Sequence, residues 1–241
     1  MKIKIIMPFR VHFVDEVTEV TAKKYVSQGT EIVCVHPEQV PDSIESQYDE
    51  AFAVPAVLEE VGKSEEEGYD GVLISCFGDP GLKSARELAS IPVAGTAESS
   101  MVFAAALGQR FSIITILRNI IPLCYDLAQD LGISNKLVSI RDIDACVASM
   151  KDVRESGEGV KRICEEAIKA IEEDGAHAIV LGATCMTGIA PQLSKMLKEK
   201  NGYDIPVIDP VGAPARFLES LINLNLIQSK LTYMSPSPKA R

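Results

Sequence analysis

The chain has 241 residues, 46% of them hydrophobic, and a net charge of −10. That length suffices for a full core, as one large domain or two small ones. The acidic balance argues against a nucleic-acid or anionic-membrane surface, since either needs a basic patch, and no apolar run reaches the length of a membrane span.

The start, MKIKIIMPFR, is too short and too quickly polar for a secretory signal and predicts a first strand over 3–7, followed by the turn Met7-Pro8-Phe9-Arg10. A helical stretch over 14–28 leads to the strand EIVCV at 31–35. A helix over 49–67, the strand GVLIS at 71–75, a helix over 80–90 and the strand PVAG at 92–95 come next. After a helix over 98–108 the pattern begins again with FSIITI at 111–116, a helix over 123–132 and LVSI at 137–140. A long helix over 156–174, AIVLG at 178–182, a helix over 190–200, PVID at 206–209 and a helix over 213–225 complete it. Continuous β-branched runs alternating with helices predict an α/β fold with parallel sheets covered on both faces. The segment 229–241, ending in SPSPKAR, is expected to be a flexible tail.

The second half repeats the first. Laying Gly68 (after EEE) on Gly175 (after EED) aligns VLISCFGDPG with IVLGATCMTG at an offset of 107 residues. Ile5-Ile6 fall on Ile113-Ile114 at 108, and Ile91-Pro92-Val93 on Ile205-Pro206-Val207 at 114, where KNGYD supplies the extra length. Three anchors in one order predict two similar α/β halves, assigned as 1–97 plus 209–228 and as 98–208. Ligands of open α/β sheets sit beyond the carboxyl ends of the strands, here in a shared cleft.

The six cysteines lack CxxC or zinc-type spacing and are expected to be free thiols. The three histidines, His12, His36 and His177, are far apart in sequence, so no metal site is expected. Cys34, Cys124, Cys146 and Cys164 read as small apolar packing residues. Cys76 differs, because it ends a buried strand. Asp79-Pro80 then reads as an N-cap and first helical residue, placing the thiol by a helix N-terminus that favours a thiolate. Two acid/base groups facing each other across a cleft suit the movement of a proton between the two faces of a carbon.

SIESQYDEAFAVPAVLEE (43–60), SCFGDPGLKSARELASIPVAGTAES (75–99) and GQRFSIITIL (108–117) closely resemble the hydantoin and allantoin racemases of the aspartate/glutamate racemase superfamily. The resemblance covers most of residues 1–222. It implies two pseudo-symmetric Rossmann-like domains, an active site between them, no pyridoxal phosphate or metal, and two cysteines as the acid/base pair. Cys76 matches the first of these cysteines. The second family motif reads Leu-Gly-Cys, then Thr or Ala, Gly and Met. This chain has Leu181-Gly182-Ala183-Thr184-Cys185-Met186, with the thiol two residues late. In an extended chain that is about 6.5 Å, so Cys185 serves only if the turn folds differently or the substrate sits elsewhere.

The first-strand turn also departs from the Asn-Pro-Asn-Thr of many hydantoin racemases. Phe9 would reshape the pocket. Arg10 either pairs with a substrate carboxylate, favouring an acidic substrate, or is a solvated loop charge. Phe77, Gly78, Ala183, Thr184 and Met186 are expected to bind substrate, with Thr96 and Thr115 as pocket residues or helix caps. The expected activity is a cofactor-independent racemase or epimerase of a hydantoin, amino acid or related carboxylate, located in the cytoplasm. Isologous association is common for soluble enzymes, but subunit number is not specified. A one-thiol decarboxylase or isomerase using Cys76, and a small-molecule-binding protein without catalysis, remain as alternatives.

Overall fold

The computed structural model describes residues 1–237; the last four residues of the expected tail lie outside it. All eight predicted strands are present: β1 Lys2–Ile6, β2 Glu31–Val35, β3 Gly71–Ile74, β4 Val93–Gly95, β5 Phe111–Thr115, β6 Leu137–Asp142, β7 Ala178–Leu181 and β8 Val207–Ile208. They form two four-stranded sheets with the same order, β2-β1-β3-β4 and β6-β5-β7-β8. Every neighbouring pair is parallel. Strands β3, β5 and β7 are buried along their whole length, as expected of apolar runs covered on both faces.

The repeat read from sequence is also a repeat of register. Leu73 pairs with Ile5 in one sheet, and Val180, 107 residues later, pairs with Ile113 in the other. Val72 pairs with Val93, and Ile179 with Val207, keeping the offsets of 107 and 114. The anchoring glycines both take left-handed backbone, with φ of 77° at Gly68 and 73° at Gly175. A side chain would be strained there.

Nine helices among the described residues cover the sheets. They are α1 Asp15–Tyr25, α2 Gln47–Ser64, α3 Leu82–Leu88, α4 Thr96–Leu107, α5 Ile121–Asp130, α6 Met150–Glu155, α7 Gly157–Glu172, α8 Ala190–Asn201 and α9 Gly212–Asn223. Ser46 caps α2 by accepting from the Asp49 amide at 3.1 Å, and Ser46 Oγ donates to the Asp49 carboxylate at 2.8 Å. The short α6 was not expected, because its sequence has no apolar period. Its Val153 carbonyl lies 2.2 Å from where a Cβ on Gly159 would be, so only glycine lets α7 start so close behind it.

Helix α4 leaves the first sheet and packs on β7 and β8 of the second, while α9 returns to pack on α1, β3 and β4. Glu219 locks that return. Its carboxylate, fully buried, accepts from the Ser27 amide at 2.9 Å and from the hydroxyls of Ser27 and Thr30, and pairs with Arg216. Within the segment expected as a flexible tail, Lys230 Nζ donates to the carbonyls of Arg86, Glu87 and Ala89 at 2.9–3.0 Å. These are the free carbonyls at the end of α3. No helix among the described residues is long and apolar enough to cross a membrane.

Candidate active site

Both cysteine turns leave the carboxyl end of the third strand of their sheet. After β3 the chain turns on an Asp79 amide bond to the Cys76 carbonyl at 3.0 Å. Asp79 then takes left-handed backbone, φ 51°, and so does Gly81, φ 72°. Helix α3 therefore starts at Leu82, not at Pro80, and lacks a side-chain cap. The expectation that Asp79 caps α3 is overturned. Its buried carboxylate instead accepts from the amides of Ala97 at 2.9 Å and Glu98 at 2.8 Å, the donors of the first turn of α4. A Cβ on Gly95 would sit 2.5 Å from that carboxylate, so a glycine there is what admits it.

The second turn is built differently. Ala183 is extended, and Thr184–Met186 form a single 3₁₀ turn closed by Met186 N–H to the Ala183 carbonyl at 2.9 Å. A 3₁₀ turn rises only about 2 Å per residue, far less than the extended chain that the two-residue delay of the thiol would otherwise imply. Asp209 holds this turn to α9: it accepts from Thr187 Oγ1 at 2.8 Å, Gly188 N–H at 2.7 Å and Gly212 N–H at 2.9 Å. In each half one buried carboxylate ties the cysteine turn to the helix after the fourth strand. Asp79 reaches forward from the turn; Asp209 reaches back to it.

Between the two turns lies a cleft with an empty volume of about 620 Å³, counting its open mouth. Cys76 and Cys185 both line it, each buried, 7% and 6% exposed. Phe9, Phe77, Gly78, Ala183 and Thr184 line it too, as expected. The rest of the wall is mostly aliphatic, with Val14, Ile44, Ile116, Leu123 and Val147 among its residues and Ser43 and Ser46 as further hydroxyls. Val14, Leu123 and Val147 had no sequence signal beyond being apolar; Ser43, Ile44 and Ser46 stand inside SIESQYDE, and Ile116 inside GQRFSIITIL.

Four expected binding residues do not line the cleft. Arg10 is turned outward: its amide donates to the carbonyls of Pro41 and Asp42, and its Nε donates to Val40 O at 2.8 Å. Its side chain is 61% exposed, with Asp42 at 3.5 Å. Thr96 and Thr115 are fully buried; their hydroxyls donate to Ile74 O at 2.9 Å and Gly182 O at 3.3 Å, fastening the strand ends. Met186 is packed in the core behind the turn. Cys146, expected as apolar filler, is instead exposed beside the turn Val147–Ser149, and all six cysteines are free thiols. The histidines, expected to form no ligand set, include a close pair: the rings of His12 and His36 are 4.4 Å apart.

The two site thiols differ electrically. Burial pushes Cys76 far above the ordinary thiol range, against an amide hydrogen bond from Gly78, and the carboxylates of Glu50 and Asp79 push it further. Burial also raises Cys185, to about 12, but the Arg154 guanidinium opposes the rise. Arg154 Nη1 is fixed there by the carbonyls of Cys185 at 3.0 Å and Thr187 at 2.6 Å. The expected thiolate-favouring helix end at Cys76 is absent, and the positive group stands behind the other cysteine.

A sequence model of the Asp/Glu/hydantoin racemase family matches residues 11–218. The chain is 40% identical over 240 residues to a hydantoin racemase of Pseudomonas sp. (strain NS671), covering 99% of this chain and 93% of that one. It is 36% identical over 242 residues to a hydantoin racemase of Paenarthrobacter aurescens, covering 99% of each. The solved allantoin racemase of Klebsiella pneumoniae superposes with a TM-score of 0.92 at 37% identity, over 100% of this chain and 96% of that one.

Proposed function

Because the chain belongs to the Asp/Glu/hydantoin racemase family and is thereby a racemase, we propose that it inverts the carbon next to a carbonyl in a neutral, hydantoin-type ring, using Cys76 and Cys185 as a two-base pair. The observation that carries this reading is that both thiols line one apolar cleft. Among the described residues the lining holds no lysine for a Schiff base and no histidine or carboxylate for a metal, so acid/base work falls to the thiols.

Cys185, with Arg154 behind it, is the better thiolate; Cys76, among carboxylates, is the better thiol. The Cys185 thiolate removes the proton from one face of the ring carbon, and the C–H electron pair moves into an enolate. The Cys76 thiol returns a proton to the opposite face, leaving Cys76 as thiolate and Cys185 as thiol. The mirror-image substrate runs the same steps in reverse, and proton exchange with solvent resets the pair. Ser43 and Thr184 are the hydroxyl-bearing wall residues available to a ring carbonyl.

Neutrality of the substrate follows from the wall. With Arg10 turned away, no cationic side chain among the described residues lines the cleft, so a free carboxylate would lose its water without gaining a partner. The test is to follow optical rotation of single-enantiomer 5-substituted hydantoins beside glutamate and aspartate. Racemisation of the hydantoins is expected; turnover of the amino acids alone would overturn the substrate class. A one-thiol reaction at Cys76 is disfavoured, because the second sulfur shares the cleft.

A further inference from the structure

The loop from β1 into α1 supplies both a wall of the cleft, through Phe9 and Val14, and a cluster on the other side that the proposed reaction does not use. Asp15, in the first turn of α1, stands between two imidazoles. His12 Nδ1 lies 2.9 Å from one carboxylate oxygen, and His36 Nε2, from the end of β2, lies 3.0 Å from the other. One nitrogen from each ring and one carboxylate oxygen all lie within 4.8 Å of one another.

His36 makes this more than a chance grouping. Its Nδ1 lies 2.5 Å from the Phe9 carbonyl, which can only accept, so Nδ1 carries a proton. In a neutral ring Nε2 then has a bare lone pair, aimed at a carboxylate oxygen. Two acceptors then face each other unless a proton or a metal cation lies between them; a proton makes an ion pair, a cation makes a ligand set. A ring N–H held by a backbone carbonyl, which leaves the other nitrogen to ligate, is the arrangement that orients histidine toward a metal ion. Glu16 and Glu19 line the same recess and add negative charge.

We propose that His12, Asp15 and His36 form a binding site for a borderline divalent cation of the zinc type, separate from the catalytic cleft. Two imidazoles and a carboxylate are a ligand set such ions accept, with remaining positions filled by water. His12, whose side chain is 66% exposed, is free to turn the short distance that closes the site. The Phe9 carbonyl links the site to the cleft wall, so the cation fixes the position of Phe9.

Cobalt(II) is the probe. The full chain, freed of metal with a chelator, is titrated with Co²⁺ and followed by visible absorption. The expected result is one bound ion per chain with the spectrum of nitrogen and oxygen ligands. That ion should be lost in His36→Gln and in Asp15→Asn and kept in His177→Gln, whose histidine is exposed in the other half. Should His36→Gln fail to fold, His12→Gln, at an exposed position, must also lose the ion. No binding by the unmodified chain, retention by both Asp15→Asn and His12→Gln, or sulfur-to-cobalt charge-transfer absorption would each overturn the site. None of these readouts depends on turnover, so they stand apart from the proposed racemase reaction.

Discussion

Cys76 and Cys185 line the same cleft although the internal repeat does not pair them. The repeat counterpart of Cys76 is Ala183, and that of Cys185 is Gly78. The halves are alike in strand order and register but unlike in their cysteine turns, one built on left-handed Asp79 and Gly81, the other on a 3₁₀ turn. The difference is local: the sheets fix where the turns lie, and the turns fix where the sulfurs lie.

The electrostatic difference predicts an order of ionisation. Both thiols are raised by burial, so the singly ionised pair becomes more populated as pH rises. Racemisation should therefore climb from neutral into alkaline pH, without a fall near pH 8. Iodoacetamide should modify Cys185 faster than Cys76 when each is followed in the other's Cys→Ser variant. Arg154→Gln should slow alkylation of Cys185 about tenfold, the effect of about one pKa unit, and leave Cys76 within twofold. Equal slowing of both would contradict the assignment.

Gly95→Ala should disable the enzyme from outside the cleft. Its new Cβ would fall 2.5 Å from the Asp79 carboxylate and 2.6 Å from Leu82, so the cap on α4 must open and the Cys76 turn must shift. About 1–3 kcal/mol of stability should be lost, with kcat reduced about a hundredfold, the effect of misplacing a reacting group by about 1 Å. Asp79→Asn keeps one acceptor and should be milder in both respects. Thermal unfolding and optical rotation measure the two effects.

Glu219 gives a pH signature for the return of α9. Hydrogen bonds from Thr30 and Ser27, with Arg216 nearby, hold its carboxyl below the ordinary glutamate range despite burial. A lowered folded value means that its contribution is complete above the unfolded value and is lost as pH falls through the folded one. Glu219→Gln should cost about 2 kcal/mol at neutral pH, and the difference from the unmodified chain should shrink in acid. A difference that is flat from neutral pH to pH 3 would contradict this.

The strands and their repeat were legible because a buried parallel strand must be a continuous apolar run, and the duplicated runs kept their spacing. Cys76 was legible for the same reason, as a thiol at the end of such a run. Asp79 was misplaced because a local capping pattern, Asp-Pro before a helix, was outcompeted by amides of α4 eighteen and nineteen residues away. Of the two readings of Arg10, the structure has the solvated loop charge, because its backbone is pinned by the carbonyls of Pro41 and Asp42, contacts with no local signal. The closeness of His12 and His36 has no local signal, because 24 residues separate them in sequence and the β1–β2 pairing brings their turns together. The 3₁₀ turn at Thr184–Met186 was hidden because extended spacing is the wrong ruler for a tight turn.

The most direct measurement is deuterium exchange at the ring carbon of a 5-substituted hydantoin in D₂O, read by NMR and chiral chromatography together. The intact chain should place deuterium at the stereocentre as the enantiomers equilibrate. Cys76→Ser and Cys185→Ser should each lose racemisation by at least about 10²-fold, the scale of one positioned acid or base. Full racemisation by Cys185→Ala, or inversion without deuterium uptake, would contradict a proton passed between two facing thiols.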